Sequence, residues 1–95
     1  MSDTLDKAVE ALNDKLSGGF NGIAKFSIKD TGDIIVDEDG AHAGDAEADV
    51  TLSASLETFR AMMEGDLNPT TAFMTGKLVI EGDMGKAMQL AQIFT

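Results

Sequence analysis

"GDLNPTTAFMTGKLVIEGDMGKAM", residues 65–88, sets four glycines and the only proline of the chain among short apolar clusters. Glycine and proline punctuate secondary structure, so each marks a join between short elements. Asn68-Pro69 supplies an N-cap and a first-turn proline for a short helix through Phe73 and Met74, which Gly76 closes. "KLVIE" at 77–81 reads as a strand ended by Gly82, and Asp83 caps a last helix that runs to Phe94.

The pattern extends upstream. Leu56, Phe59, Met62 and Met63 share one face of a helix capped by Ser53 or Ser55 and stopped by Gly65. Before it, Ala48, Val50 and Leu52 alternate with Asp49, Thr51 and Ser53 as a strand. At the start of the chain Leu5, Ala8, Val9, Leu12 and Leu16 form one stripe of a first helix, with Ser2 or Asp3 to cap it and Gly18-Gly19 to end it. From Phe20 the period becomes two. Phe20, Gly22, Ala24, Phe26 and Ile28 share one face of a strand, and "DTGD" at 30–33 turns into a second strand over Ile34 to Asp37. "EDG" at 38–40 turns again, into a third strand around Ala41 to Gly44 whose small side chains place it at a sheet edge. The order is α-β-β-β-β-α-α-β-α, an α+β chain, and the polar face on every strand predicts a sheet covered on a single side.

Bulk composition agrees with one domain over residues 1–95: 43% of residues are hydrophobic and 25% charged. No run approaches the ~20 apolar residues of a membrane span. The opening "MSDTLDKAVE" lacks the apolar core of an export signal, and zero cysteines fit a reducing cytoplasm, so a cytoplasmic location is expected. A net charge of −10 repels phosphate backbones and anionic bilayers, which argues against a nucleic-acid partner and leaves at most weak membrane contact.

The sequence supplies no catalytic constellation. With one histidine and no cysteine, neither the usual zinc sites nor a nucleophile triad can be assembled, and His42 in "DGAHAG" reads as a solvated loop imidazole. The acidic run from Asp37 to Asp49 fails as a calcium loop, because placing Gly40 at the invariant glycine puts Ile35 and Ala46 at ligand positions. "EGDMGKA" fails as a phosphate loop: Ile80 stands where glycine is needed and Ala87 where Ser or Thr is needed. The carboxylates of Asp37 and Asp39 lie in a charged turn with nothing to separate their pKa values. No catalytic residue, metal or cofactor is expected.

Soft apolar side chains are distributed unevenly. Met62, Met63, Met74, Met84 and Met88 lie in the second half with Phe59, Phe73 and Phe94. Thioethers adapt their shape and suit apolar, variable ligands, although they also fill gaps in small cores. In the last helix Met84, Ala87, Met88, Leu90, Ala91, Ile93 and Phe94 cover more than half of the circumference. A second apolar contact would satisfy that face, whether a lipid or a second copy of the chain, so a monomer and a homodimer both remain open.

Residues 48–94 resemble the sterol-binding domain of the sterol carrier protein family, through "ADVTLSAS", "ETF" leading to Gly65, "NPTTAFMTGKLVIEGD" and "KAMQL". The combination of Asn68-Pro69, Ala72-Phe73, Gly76-Lys77, Ile80, Gly82-Asp83 and Leu90 is far more specific than any motif tested above. The resemblance implies a mixed, largely antiparallel five-stranded sheet with helices on one face and an apolar tunnel between them. It implies binding and carriage of fatty acids, fatty acyl-CoA, sterols or phospholipids, without catalysis. Phe59, Met62, Met63, Phe73, Met74, Met84, Met88, Ala91 and Phe94 are then the expected lipid-binding residues. Many family members are basic and approach membranes electrostatically, whereas this chain is acidic. The end, Ile93-Phe94-Thr95, also lacks the peroxisomal tripeptide of eukaryotic members, so the chain looks like a free-standing bacterial member, for which an acyl lipid or isoprenoid is the expected ligand. The alternative is a non-catalytic interaction module, or an accessory protein for a lipid-metabolising enzyme.

Overall fold

The computed structural model describes residues 3–16 and 19–93. Ser2 and Gly18, read as cap and stop of the first helix, and Phe94 of the last helix lie outside the described residues. The elements are α1 (Asp3–Leu16), β1 (Ala24–Ile28), β2 (Gly32–Asp37), β3 (Gly40–Ala43), β4 (Val50–Ala54), α2 (Leu56–Met63), α3 (Pro69–Met74), β5 (Leu78–Gly82) and α4 (Met84–Ile93). The five strands form one mixed sheet in the order β3-β2-β1-β4-β5, in which β1 and β4 run parallel and the other pairs antiparallel. The α-β-β-β-β-α-α-β-α order of elements along the chain and the α+β class are those that the sequence pattern predicts.

Register explains the single covered face. Val36, Ala24, Val50 and Gly82 stand opposite one another across the sheet, as do Ile34, Phe26, Leu52 and Ile80, so one side is continuously apolar. Ala8, Leu12 and Leu16 of α1, Phe59 and Met62 of α2, Ala72 of α3, and Ala87 and Leu90 of α4 join that side in one core. The Asn13 side chain anchors α1 to the edge strand β3: its amide donates to the Ala41 carbonyl at 2.9 Å and accepts from the Ala41 N–H at 2.8 Å. An otherwise open strand edge is thereby occupied.

The other side is largely polar; of its apolar residues Ile35 is 3% exposed, whereas Val79 stands in water. Strands β3 and β4 flank β2 and β1 and both run parallel to β1, so residues 44–49 must return along the sheet to join them. They cross that outer side, where Lys25 Nζ lies 2.8 Å from Asp45 Oδ1. This hydrogen-bonded pair holds the Asp45 carboxyl below its ordinary range and raises Lys25. The depressed carboxyl contributes stability above the unfolded carboxylate range and loses it as pH falls through its folded value.

The local punctuation acts as predicted at four places. Ser55 accepts from the Thr58 N–H to cap α2, and Asn68 accepts from the Thr70 N–H to cap α3 with Pro69 in its first turn. Asp83 accepts from the Lys86 N–H at the start of α4, and β3 is an edge strand. The first strand differs: pairing begins at Ala24, not at Phe20. Gly22, at φ +127°, breaks the alternation, and Phe20 is buried beside the end of β2, its N–H donating to the Asp37 carbonyl at 2.8 Å.

Gly82 ends β5 at φ +108°, and a Cβ there would collide with the backbone carbonyl of Asp49, whose oxygen accepts from the Asp83 N–H at 2.9 Å. Gly82→Ala is therefore expected to destabilise the fold by about 1–3 kcal/mol through backbone strain. A lowered urea midpoint at unchanged slope is the readout; an unchanged midpoint would mean that the strand end shifts without cost.

Candidate functional site

The inner side of the sheet and the helices above its β4–β5 half do not close completely. They leave a cavity of about 100 Å³. Its floor is Phe26 of β1, Leu52 of β4, and Leu78 and Ile80 of β5, all on the inner side by strand alternation. Met62 of α2 forms one wall. Pro69, Thr70 and Phe73 of α3 form another, with Thr70 and Phe73 brought to one helix face by their three-residue spacing. Met84, Ala87, Met88 and Ala91 close the cavity from α4 at i, i+3, i+4 and i+7.

Burial grades from floor to lip. Phe26, Met62 and Leu78 are buried, while Phe73 is 43%, Met84 46% and Met88 58% exposed. Exposed large apolar side chains on two facing helices are costly to leave in water and mark the opening of the cavity. No lining residue is charged, and Thr70 carries the only polar side chain among them.

Of the residues that the sequence analysis assigned to a tunnel, Met62, Phe73, Met84, Met88 and Ala91 line this cavity. Three stand elsewhere. Phe59 is 2% exposed and packs its ring edge-on against Phe26, centroids 5.7 Å apart, as part of the core. Met63 faces a groove between α1 and α2 with Thr4, Ala8 and Arg60. Met74 is 79% exposed at the end of α3 and touches neither. Phe94 lies outside the described residues. The cavity also takes in Phe26, Leu52, Leu78, Ile80, Pro69, Thr70 and Ala87, which the tunnel assignment omitted. The strand members could have been found from the alternation that had already put Phe26 and Leu52 on one face.

His42 is exposed on edge strand β3, opposite Ile35 and on the other side of the sheet from the cavity. Among the described residues no cluster of His, Asp or Glu could hold a metal ion, and no helix is long and apolar enough to cross a membrane. Every buried side-chain polar atom among them is hydrogen-bonded.

A one-sided mixed sheet with helices closed over an uncharged apolar cavity defines a class of small α+β domains. The chain belongs to the SCP-2 sterol transfer family, whose model matches residues 3–95. Over 94 residues it is 37% identical to hydroxysteroid dehydrogenase-like protein 2 of Bos taurus, matching 98% of this chain but only 22% of that protein. Among solved structures it resembles palmitated sterol carrier protein 2-like 2 of Aedes aegypti, with TM-score 0.79 and 24% identity, over 99% of this chain and 95% of the other. It also resembles sterol carrier protein 2 of Yarrowia lipolytica in its apo form, with TM-score 0.68 and 25% identity, over 93% of this chain and 73% of the other.

Proposed function

We propose that residues 1–95 act as one domain that binds and carries a single apolar lipid in the cavity between sheet and helices, without catalysing a reaction. The observation that carries this reading is the cavity itself: an uncharged apolar interior behind a lip of methionine and phenylalanine side chains left exposed to water. The family assignment and the palmitated structural neighbour support it. Because the bovine relative extends well beyond the matched region and is named for a dehydrogenase, an accessory role is the second reading. The chain would then present lipid to a separate enzyme.

At about 100 Å³ the cavity is smaller than the ~300 Å³ at which ligand sites begin, so uptake requires the lip side chains of α3 and α4 to move outward. Ligand binding should then appear as stabilisation. Thermal scans of delipidated protein against a chain-length series of neutral and acidic lipids should show rising melting temperatures, equivalent to ~2.7 kcal/mol at a hundred times the dissociation constant. Native mass spectrometry of freshly purified protein should show a co-purifying apolar molecule. No shift with any member of the series, together with a clean ligand-free mass, would overturn the carrier reading.

A further inference from the structure

We infer that the cavity selects lipids with an uncharged head, an alcohol or an ester, over carboxylates and phosphate esters; this rests on the cavity being the lipid site. The residues around it contain no cation, and Thr70 supplies the only polar side chain. Its exposed hydroxyl can donate one hydrogen bond and accept others, which suits a neutral hydroxyl or ester oxygen.

None of the chain's seven lysines and arginines lines the cavity. Lys86, although it lies within α4, turns its ammonium to the Asn21 carbonyl at 3.1 Å. Lys77 lines a polar groove with Lys29, Ser53 and Ser55 on the opposite side of the sheet. Lys25 is paired with Asp45, and Lys7 and Arg60 line the groove between α1 and α2. Apart from the terminal amine, the residues outside the described ranges contribute no basic group, since they are Met1, Ser2, Ser17, Gly18, Phe94 and Thr95.

An anionic head at the lip would therefore meet no counter-charge. It would also stand in the field of a chain of net charge −10, partly shielded from water by Phe73 and Met88. A neutral head escapes both costs. The hydrocarbon part of the ligand gains the same burial in either case, so the difference between heads appears directly as a difference in affinity.

The test is displacement of Nile red, a neutral probe, by four ligands of equal chain length: dodecanol, methyl dodecanoate, dodecanoate and dodecyl phosphate, at low ionic strength and below their micellar concentrations. Dodecanol and the ester are expected to displace the probe at about tenfold lower concentration than the two anions, a gap equivalent to ~1.4 kcal/mol. As pH is lowered from about 8 towards about 5, into the titration range of carboxylic acids, dodecanoate should close on dodecanol while dodecanol stays level. Thr70→Lys, which removes the hydroxyl and places an ammonium at the lip on an exposed first-turn position, should tighten dodecanoate and reverse its order with dodecanol. Dodecanoate binding as tightly as dodecanol at the higher pH, or indifference to Thr70→Lys, would overturn the inference while leaving the lipid site standing. Failure of all four ligands to displace the probe would overturn the lipid site and this inference with it.

Discussion

A chain cut before Gly85 is expected to lose its cooperative fold. The lost segment contains most of α4, whose Ala87 and Leu90 are 2% and 1% exposed and belong to the same core as Phe26, Val50 and Leu52. Deleting a buried leucine side chain alone costs about 2–5 kcal/mol. Ile93 and Ala91 add partly buried area, and the Lys86 link to Asn21 is lost as well. Together these approach the ~5–15 kcal/mol that holds a small domain folded. The cut would also uncover Leu52 and Ile80 beside β5, an edge strand, which invites pairing between chains. The product should elute as aggregate and unfold in urea without a sigmoidal transition. A monomeric, cooperatively unfolding truncation that still displaces Nile red with dodecanol would rule out α4 as both core element and cavity wall.

The fold was legible wherever a local rule carried the information. Asn68-Pro69 and Asp83 fix helix starts through backbone hydrogen bonds that depend on a few neighbouring residues, so their positions are read directly, while sequence narrows the α2 cap to Ser53 or Ser55 and it falls on Ser55. The parallel pairing of β1 with β4 is different. No residue in either strand announces it; it follows from where the connection at 44–49 goes, and only the family resemblance supplied a mixed sheet. Ile35 shows the same limit: in sequence it interrupts the polar alternation, and its burial is explained only by the chain that crosses the outer side, pinned there by Lys25 and Asp45.

The site was less legible because soft apolar residues serve two purposes. Phe59 and Met62 sit three residues apart on one helix face, yet Phe59 completes the core against Phe26 while Met62 reaches the cavity. Helical periodicity says which face is buried and not what it is buried against. Met74 continues the methionine cluster in sequence but falls at the last turn of α3, beyond the cavity. The clearest sequence signal for the cavity was the excess apolar width of the last helix, and its Met84 and Met88 now stand at the lip.

The small cavity volume has an energetic reason. An unrelaxed void costs about 24 cal/mol per Å³, so an open 300 Å³ tunnel would cost ~7 kcal/mol, comparable to the whole stability of such a domain. The observed 100 Å³ costs about 2.4 kcal/mol on the same scale.

Met88→Glu and Phe73→Asp are expected to abolish lipid binding while leaving the fold intact. At 58% and 43% exposure, the replaced side chains already reach water, so the new carboxylates can remain hydrated in the ligand-free protein. Binding is another matter. An alkyl chain entering the cavity would pass between the lip side chains, and a carboxylate held there is either stripped of water without a partner or left to block the opening. Burying such a group unpaired costs several kcal/mol, and with ~1.4 kcal/mol per tenfold a loss of about a hundredfold or more in affinity follows. The negative charge adds to a chain already at −10, which further disfavours anionic ligands. His42→Ala, on the far side of the sheet, should bind as wild type and serves as the control. Nile red displacement, run alongside urea unfolding of each variant, separates loss of binding from loss of fold. If both carboxylate variants fold and still take up dodecanol at wild-type concentrations, the lipid does not pass the lip formed by α3 and α4, and the cavity beneath it is not the binding site.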